Sequence, residues 1–317
     1  IMTRHSSLFT VLALTTLIFG NSVRAFETRA QAAFVIDQNS GTVLLAKRAD
    51  IALPPASMSK LMTLFMAFEA LHSGRLRWKE KLPVSSHAMS YGGSTMFLDT
   101  TDRVTVEDLI RGIIVLSGND ACALLLEALS IDGTEAGFAV MMTKRAKALG
   151  MTNSVFANSN GWPDIKQRMS MKDLAILAQR LILDFPDQYP MFSEKEFAFD
   201  GRAPSNSRNR NPLLSLGIGA DGLKTGHTSE AGFGLVGSAK QGERRVIFVL
   251  TGLESAKARS DEAERIVTWA FRQFSLKTLK KPADILAQVE VWRGSSNTVG
   301  LSLIGKPRIL VPMDLSK

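Results

Sequence analysis

The sequence predicts an α+β fold in which strands from both ends of the chain share one sheet and a helical middle is inserted between them. Three observations carry this. Two β-rich runs near the N-terminus flank a hairpin signal, apolar residues recur at helical spacing between residues 57 and 183, and three strand-like runs follow residue 220. Ala33–Asp37 and Thr42–Ala46 are the first pair, joined through Asn39-Ser40-Gly41. Pro54-Pro55 then stops further pairing. From Ser57 to His72, Leu61, Met62, Leu64, Phe65, Phe68 and Leu71 mark a buried helix that Gly74 closes.

Helical segments are expected at 106–116, 120–130, 134–149 with Gly150 as its stop, and 171–183. Strands return at Gly222–Thr225, Phe233–Ala239 and Arg245–Gly252, and a last helix runs from Asp261 to Phe274. Lys277–Pro282 reads as a linker. Beyond it, Val289–Trp292 and Arg308–Val311 alternate as in a small β-domain. There is no internal repeat and no low-complexity tract.

The chain has 317 residues, with 38 Lys plus Arg against 30 Asp plus Glu, a formal charge of +8. Arg4 and His5 precede an apolar run from Leu8 to Phe19, and a small residue, Ala25, ends the stretch that follows. This is the pattern of an export signal cleaved after Ala25; the run is shorter than the roughly 20 residues of a spanning helix. Losing residues 1–25 removes Arg4 and Arg24 and no acid, so +8 becomes +6. The expected setting is the periplasm, at the outer face of the cytoplasmic membrane. Residues 26–279 are then expected to form one catalytic domain, and 280–317 the beginning of a β-domain that continues past Lys317.

Several chemistries fall away. A single Cys122 forms no intrachain disulfide, and His5, His72, His87 and His227 have no metal-ligand spacing, so no metal and no cofactor are expected. Gly217–Thr225 would be a phosphate loop only without Leu223, and no Gly-x-Ser-x-Gly elbow occurs. With two Tyr and no aromatic cluster beside the positive charge, nucleic acid is not expected as a partner.

Three motifs remain. Ser57-Met58-Ser59-Lys60 starts a helix, and side chains at i and i+3 share a face. A serine hydroxyl needs a base to become a nucleophile, and a lysine serves when burial and neighbouring cations lower its pKa. By itself the pattern is common, equally a capping serine and a surface lysine. Ser117-Gly118-Asn119 lies in a break between two apolar helices. Its hydroxyl could relay a proton, and its amide could hold a substrate carbonyl or orient Lys60. The same spacing recurs at Ser207-Arg208-Asn209 and Ser295-Ser296-Asn297, and only the first sits where an apolar core makes a polar turn unusual. Lys224-Thr225-Gly226, on a strand and followed by His227, combines a cation, a hydroxyl and a residue with room for a substrate backbone. That set suits a peptide ending in a carboxylate.

This ordered trio corresponds to the signature of serine β-lactamases and penicillin-binding proteins, which has Ser-Asp-Asn as its middle form where this chain has Ser117-Gly118-Asn119. With Pro55–Thr63, Gly93–Leu98, Arg111-Gly112 through Cys122, and Asp221–Thr228, the chain resembles the low-molecular-mass penicillin-binding proteins that are serine-type D-alanyl-D-alanine carboxypeptidases. The similarity runs from about Ala33 onward; the stretch from Asn158 to Arg168 departs from the family around Trp162-Pro163. The resemblance implies a five-stranded antiparallel sheet with helices on both sides, the β-lactamase and penicillin-binding-protein transpeptidase fold.

It also implies a reaction. Ser57 would attack the carbonyl between the last two D-alanines of a peptidoglycan stem peptide, with Lys60 taking its proton. Ser117 would pass that proton to the leaving amine, and Asn119 would position the peptide and Lys60. Lys224 and Thr225 would bind the terminal carboxylate, with Gly226 beside the peptide, the N–H groups of Ser57 and His227 as oxyanion hole, and Arg259 near the carboxylate. β-Lactams would acylate the same serine. A C-terminal segment outside this chain would supply membrane association. The competing readings are a β-lactamase, which in class A needs a further glutamate for which no Glu-x-x-x-Asn stands between the second and third motifs, and a catalytically silent wall-binding scaffold. Cys122 is expected to be a small core residue.

Overall fold

The computed structural model describes residues 26–203, 205–278, 285–302 and 308–313. The expected export signal, residues 1–25, lies outside them. β1 (Ala32–Asp37) and β2 (Val43–Lys47) form the expected hairpin, closed where the Asp37 carboxylate accepts from Ser40 N–H and O–H. β2 then β1 continue into β7 (Arg244–Leu253), β6 (Gly232–Gln241) and β5 (Ala220–Thr228), every neighbour antiparallel. The two ends of the chain thus build one five-stranded sheet.

Period-two alternation gives this sheet two apolar faces. Ala32, Phe34, Val236, Ile247 and Val249 join a large core with α1 (Lys60–His72), α4 (Asn119–Leu129), α5 (Glu135–Ala148) and α6 (Met171–Asp184). Ala33, Val35, Leu235, Phe248 and Leu250 face the other way, onto α7 (Ala256–Gln273) through Ala263, Ile266, Val267 and Ala270. Helices therefore cover both faces, as the resemblance implied. At the hairpin end, Asp37 and Arg244 form a buried ion pair, and Arg244 also donates to the Ala270 and Phe274 carbonyls.

Small elements invisible in the periodicity complete the helical layer. β3 (Lys81–Pro83) pairs with β4 (Arg103–Thr105), and α2 (Ser86–Met89) is a single turn capped by Ser85. Elements this short carry no readable period. The helical segment expected at 106–116 is α3 (Val106–Arg111) followed by a π-helical turn, Gly112–Leu116.

Two expectations are corrected at the C-terminal side. The last helix begins at Ala256, not Asp261, because Ser255 caps it by accepting from Ala258 N–H. Lys277 is not in a linker: β8 (Phe274–Thr278) follows α7 directly and pairs with β11 (Arg308–Pro312). β9 (Ala287–Glu290) pairs with β10 (Thr298–Leu301). No helix among the described residues is long and apolar enough to cross a membrane.

Candidate active site

The three motifs converge. Ala56–Ser59 is a 3₁₀ turn leading into α1, and it places Ser57 at the mouth of a cleft of about 400 Å³ that Ser117, Thr225, Gly226, His227 and Arg259 also line. Beneath it the Lys60 ammonium is fully buried and donates to Ser57 Oγ at 2.9 Å, as the i, i+3 spacing required. It donates also to Asn119 Oδ1 at 2.7 Å and to the Asn160 carbonyl at 2.5 Å. Burial lowers the Lys60 pKa to about 8, and Arg210 pushes in the same direction.

Ser117 ends the π-helical turn with φ of +62°, a left-handed conformation uncommon for a side chain bearing Cβ. Its buried Oγ has no hydrogen-bond partner among the described residues. A strained backbone with an orphaned hydroxyl at a cleft is a functional signal rather than a packing solution. Asn119 opens α4, its Oδ1 on Lys60 and its Nδ2 donating to the Gly92 carbonyl at 2.8 Å, so the amide orients Lys60. The duplicate spacings at 207–209 and 295–297 line no part of this cleft.

On β5, Lys224 is buried and its ammonium donates to its neighbour's carbonyl, Thr225 O, at 3.2 Å. Burial and then Lys60 and Arg210 hold its pKa well below the ordinary lysine value. Gly226 is required by close approach: a Cβ there would lie 3.0 Å from Met58 Cγ and from the Pro55 carbonyl. The His227 ring stacks on Phe233 with centroids 3.8 Å apart. Arg259 stands in the first turn of α7, not before the helix, with its guanidinium 5.8 Å from the Phe233 ring and its pKa lowered to about 10 by burial and Arg210.

The profile of D-alanyl-D-alanine carboxypeptidases, peptidase family S11, matches residues 20–255. The chain belongs to that family. It is 36% identical to the D-alanyl-D-alanine carboxypeptidase DacC of Escherichia coli over 98% of this chain and 81% of that one. Penicillin-binding protein 5 of Haemophilus influenzae superposes with a TM-score of 0.80 at 34% identity, covering 90% of this chain and 83% of that one. Penicillin-binding protein D2 of Listeria monocytogenes, solved with cefotaxime bound, gives 0.70 at 32%, covering 78% and 98%.

Three participants in this carboxypeptidase cleft were not singled out by the motifs. Arg210 donates to Ser94 Oγ at 2.6 Å and to the Leu116 carbonyl at 3.1 Å, at the edge of the cleft. Its position, one residue past a rejected Ser-x-Asn spacing, offered no signal. Ser94 lies in the Gly93–Leu98 stretch that supported the resemblance without a role of its own. Asn160, inside the segment that departs from the family, contributes only its carbonyl to Lys60, and backbone acceptors leave no trace in composition.

Proposed function

We propose that this chain removes the terminal D-alanine from peptidoglycan stem peptides through an acyl-enzyme on Ser57. The observation that carries this is the set of three partners on the Lys60 nitrogen. A neutral amine has two N–H groups and one lone pair. Two of its partners, Asn119 Oδ1 and Asn160 O, are carbonyl oxygens that only accept, whereas the third, the Ser57 hydroxyl, accepts from the ammonium and is alone able to donate to the neutral amine. Deprotonation of Lys60 therefore leaves its lone pair aimed at the Ser57 proton.

The steps follow. Lys60 takes the Ser57 proton as Oγ bonds to the substrate carbonyl carbon, and the N–H groups of Ser57 and His227 receive the oxyanion. Ser117, its hydroxyl unengaged, passes the proton to the leaving amine as the C–N bond breaks, and D-alanine departs. Water then cleaves the ester to Ser57. The carboxylate side is equally legible: among the described residues, Lys60, Lys224, Arg210 and Arg259 surround the cleft without any ion-pair partner. A substrate carboxylate beside Thr225, Lys224 and Arg259 supplies the missing anion, with Gly226 admitting the peptide backbone along β5.

Residues 1–25 act as an export signal in this reading, delivering residues 26–279 as the catalytic domain, with 280–317 as a β-rich region, to the periplasmic wall. β-Lactams acylate Ser57 as substrate mimics. The test is covalent labelling by a fluorescent penicillin, lost in Ser57→Ala, with free D-alanine released from a diacetyl-Lys-D-Ala-D-Ala peptide. An unlabelled, folded wild type would refute acylation at Ser57; labelling without D-alanine release favours the scaffold, and rapid nitrocefin turnover the β-lactamase.

A further inference from the structure

Both oxygens that hold the Lys60 amine trace back to a single carboxylate, Asn160 O through Ser159 and Asn119 Oδ1 through Gly92 and Tyr91. Glu135, the first residue of α5, accepts from Ser159 N–H on Oε1 at 2.5 Å and from the Tyr91 hydroxyl on Oε2 at 2.9 Å. Ser159 precedes Asn160, whose carbonyl receives Lys60. Tyr91 precedes Gly92, whose carbonyl fixes the Asn119 amide, whose Oδ1 receives Lys60. The turn at 158–161 has its own contacts as well: Asn158 Oδ1 accepts from Asn160 and Gly161 N–H, Gln167 Oε1 accepts from Asn158 N–H, Asn160 Oδ1 accepts from Trp162 N–H, and the Thr63 hydroxyl donates to the Ser159 carbonyl; among these contacts Glu135 alone brings a charge.

An acid in the first turn of a helix is by itself an ordinary favourable partner of the helix dipole. Glu135 differs because both oxygens leave the helix to engage separate loops, and Thr134 already caps it by accepting from Gly137 N–H. We infer that Glu135 is a positioning residue for the acylation step, its carboxylate setting two loops, one carrying the Asn160 carbonyl and the other the Gly92 carbonyl that fixes the Asn119 amide, so that the Lys60 lone pair is aimed at Ser57. The inference rests on Lys60 acting as the base toward Ser57.

The charged and titratable groups around this arrangement are His87 and Tyr91 facing Glu135, and Asp120, Cys122, Arg210 and Lys224 around Lys60. Carbonyl acceptors favour the ammonium form, so loosening them drops the Lys60 pKa further. Glu135→Ala is expected to lower the second-order rate of acylation by a penicillin about tenfold, the scale of a small misplacement near reacting groups. The acid limb of the pH–rate profile should move to lower pH. Glu135→Gln recovers most of the rate, since an amide can accept from Ser159 and donate to the Tyr91 oxygen.

Tyr91→Phe removes one arm while keeping the charge, so a limb shift in that variant reports geometry alone; a fall of about threefold with the limb moved to lower pH is expected. Unchanged rate and limb in the Glu135 variants, equal losses in Ala and Gln, or an unmoved limb in Tyr91→Phe would overturn the inference. Should Glu135→Ala fail to fold, Tyr91→Phe decides. Wild type and Ser57→Ala run alongside: a wild type that is not acylated removes the foundation, whereas normal wild-type acylation with insensitive variants counts against Glu135 alone.

Discussion

Lys60→Met separates the two consequences of burying a base. In the unfolded chain the lysine has its ordinary value of 10.5, and in the folded protein about 8. Below about pH 8 it is protonated in both states, and the cost of burying the ammonium is borne in full. As pH rises from about 8 to 10.5 the folded protein releases a proton that the unfolded chain still holds, so stability climbs with pH. At 1.36 kcal/mol per pKa unit the whole effect is on the order of 3 kcal/mol, of which about 1 kcal/mol develops between pH 7 and 9. Met fills a similar volume without a charge, so urea unfolding of Lys60→Met should lack this rise. The difference in stability between the variants should shrink by about 1 kcal/mol from pH 7 to pH 9. Acylation by a penicillin should fall by about 10²–10⁴-fold, the usual contribution of a general base. In wild type the acylation rate should rise with pH with a limb near 8. A stability difference that is flat across this range, or acylation that survives in the Met variant, would refute the assignment of Lys60 as a buried, weakened base.

Three other outcomes are expected. Gly161→Ala should unfold more easily by about 2 kcal/mol or more, because φ is +81° and a Cβ would lie 2.0 Å from the Ala56 carbonyl; an unchanged urea midpoint would contradict the packing. Arg259→Gln should raise KM for a D-Ala-D-Ala peptide about tenfold, the loss of one charge-assisted contact of ~1.5 kcal/mol, with a smaller change in kcat; the reverse split would move Arg259 out of the carboxylate site. Cys122 is fully buried with its thiol pushed up to about 12; no reaction with a thiol-specific disulfide reagent is expected in the native protein at pH 8, and complete reaction in denaturant, so rapid native labelling would show the helical core to be open.

Much of the site was legible because its functional groups are side chains at fixed spacing. Ser57 and Lys60 meet because one helical turn separates them, and Thr225, Gly226 and His227 line one edge of the cleft, with Lys224 buried beside them, because a single strand carries all four. Asn119 was legible as a residue, but its two possible duties, holding a substrate or orienting Lys60, separate only when its Oδ1 is found on the lysine. Arg259 was placed correctly near the cleft and wrongly outside the helix, since Ser255 offers a capping hydroxyl six residues earlier than the apolar period suggests. Asn160 and Glu135 escaped notice for a different reason. One acts through a backbone carbonyl, and the other stands 75 residues from Lys60 at the start of a helix whose exposed face reads as ordinary.

By itself the sequence determined the α+β class, the five strands drawn from both ends and the motif residues that meet at one cleft, since each of these rests on local periodicity or on residues close in the chain. The tertiary structure decided what those groups can do. Closing the sheet against the helical layer buries Lys60, lowers its pKa and brings the Asn119 side-chain oxygen from α4 and the Asn160 backbone carbonyl from a distant loop onto its nitrogen. A lone pair has a direction only when its neighbours are fixed, and those neighbours are assembled by packing, not by spacing.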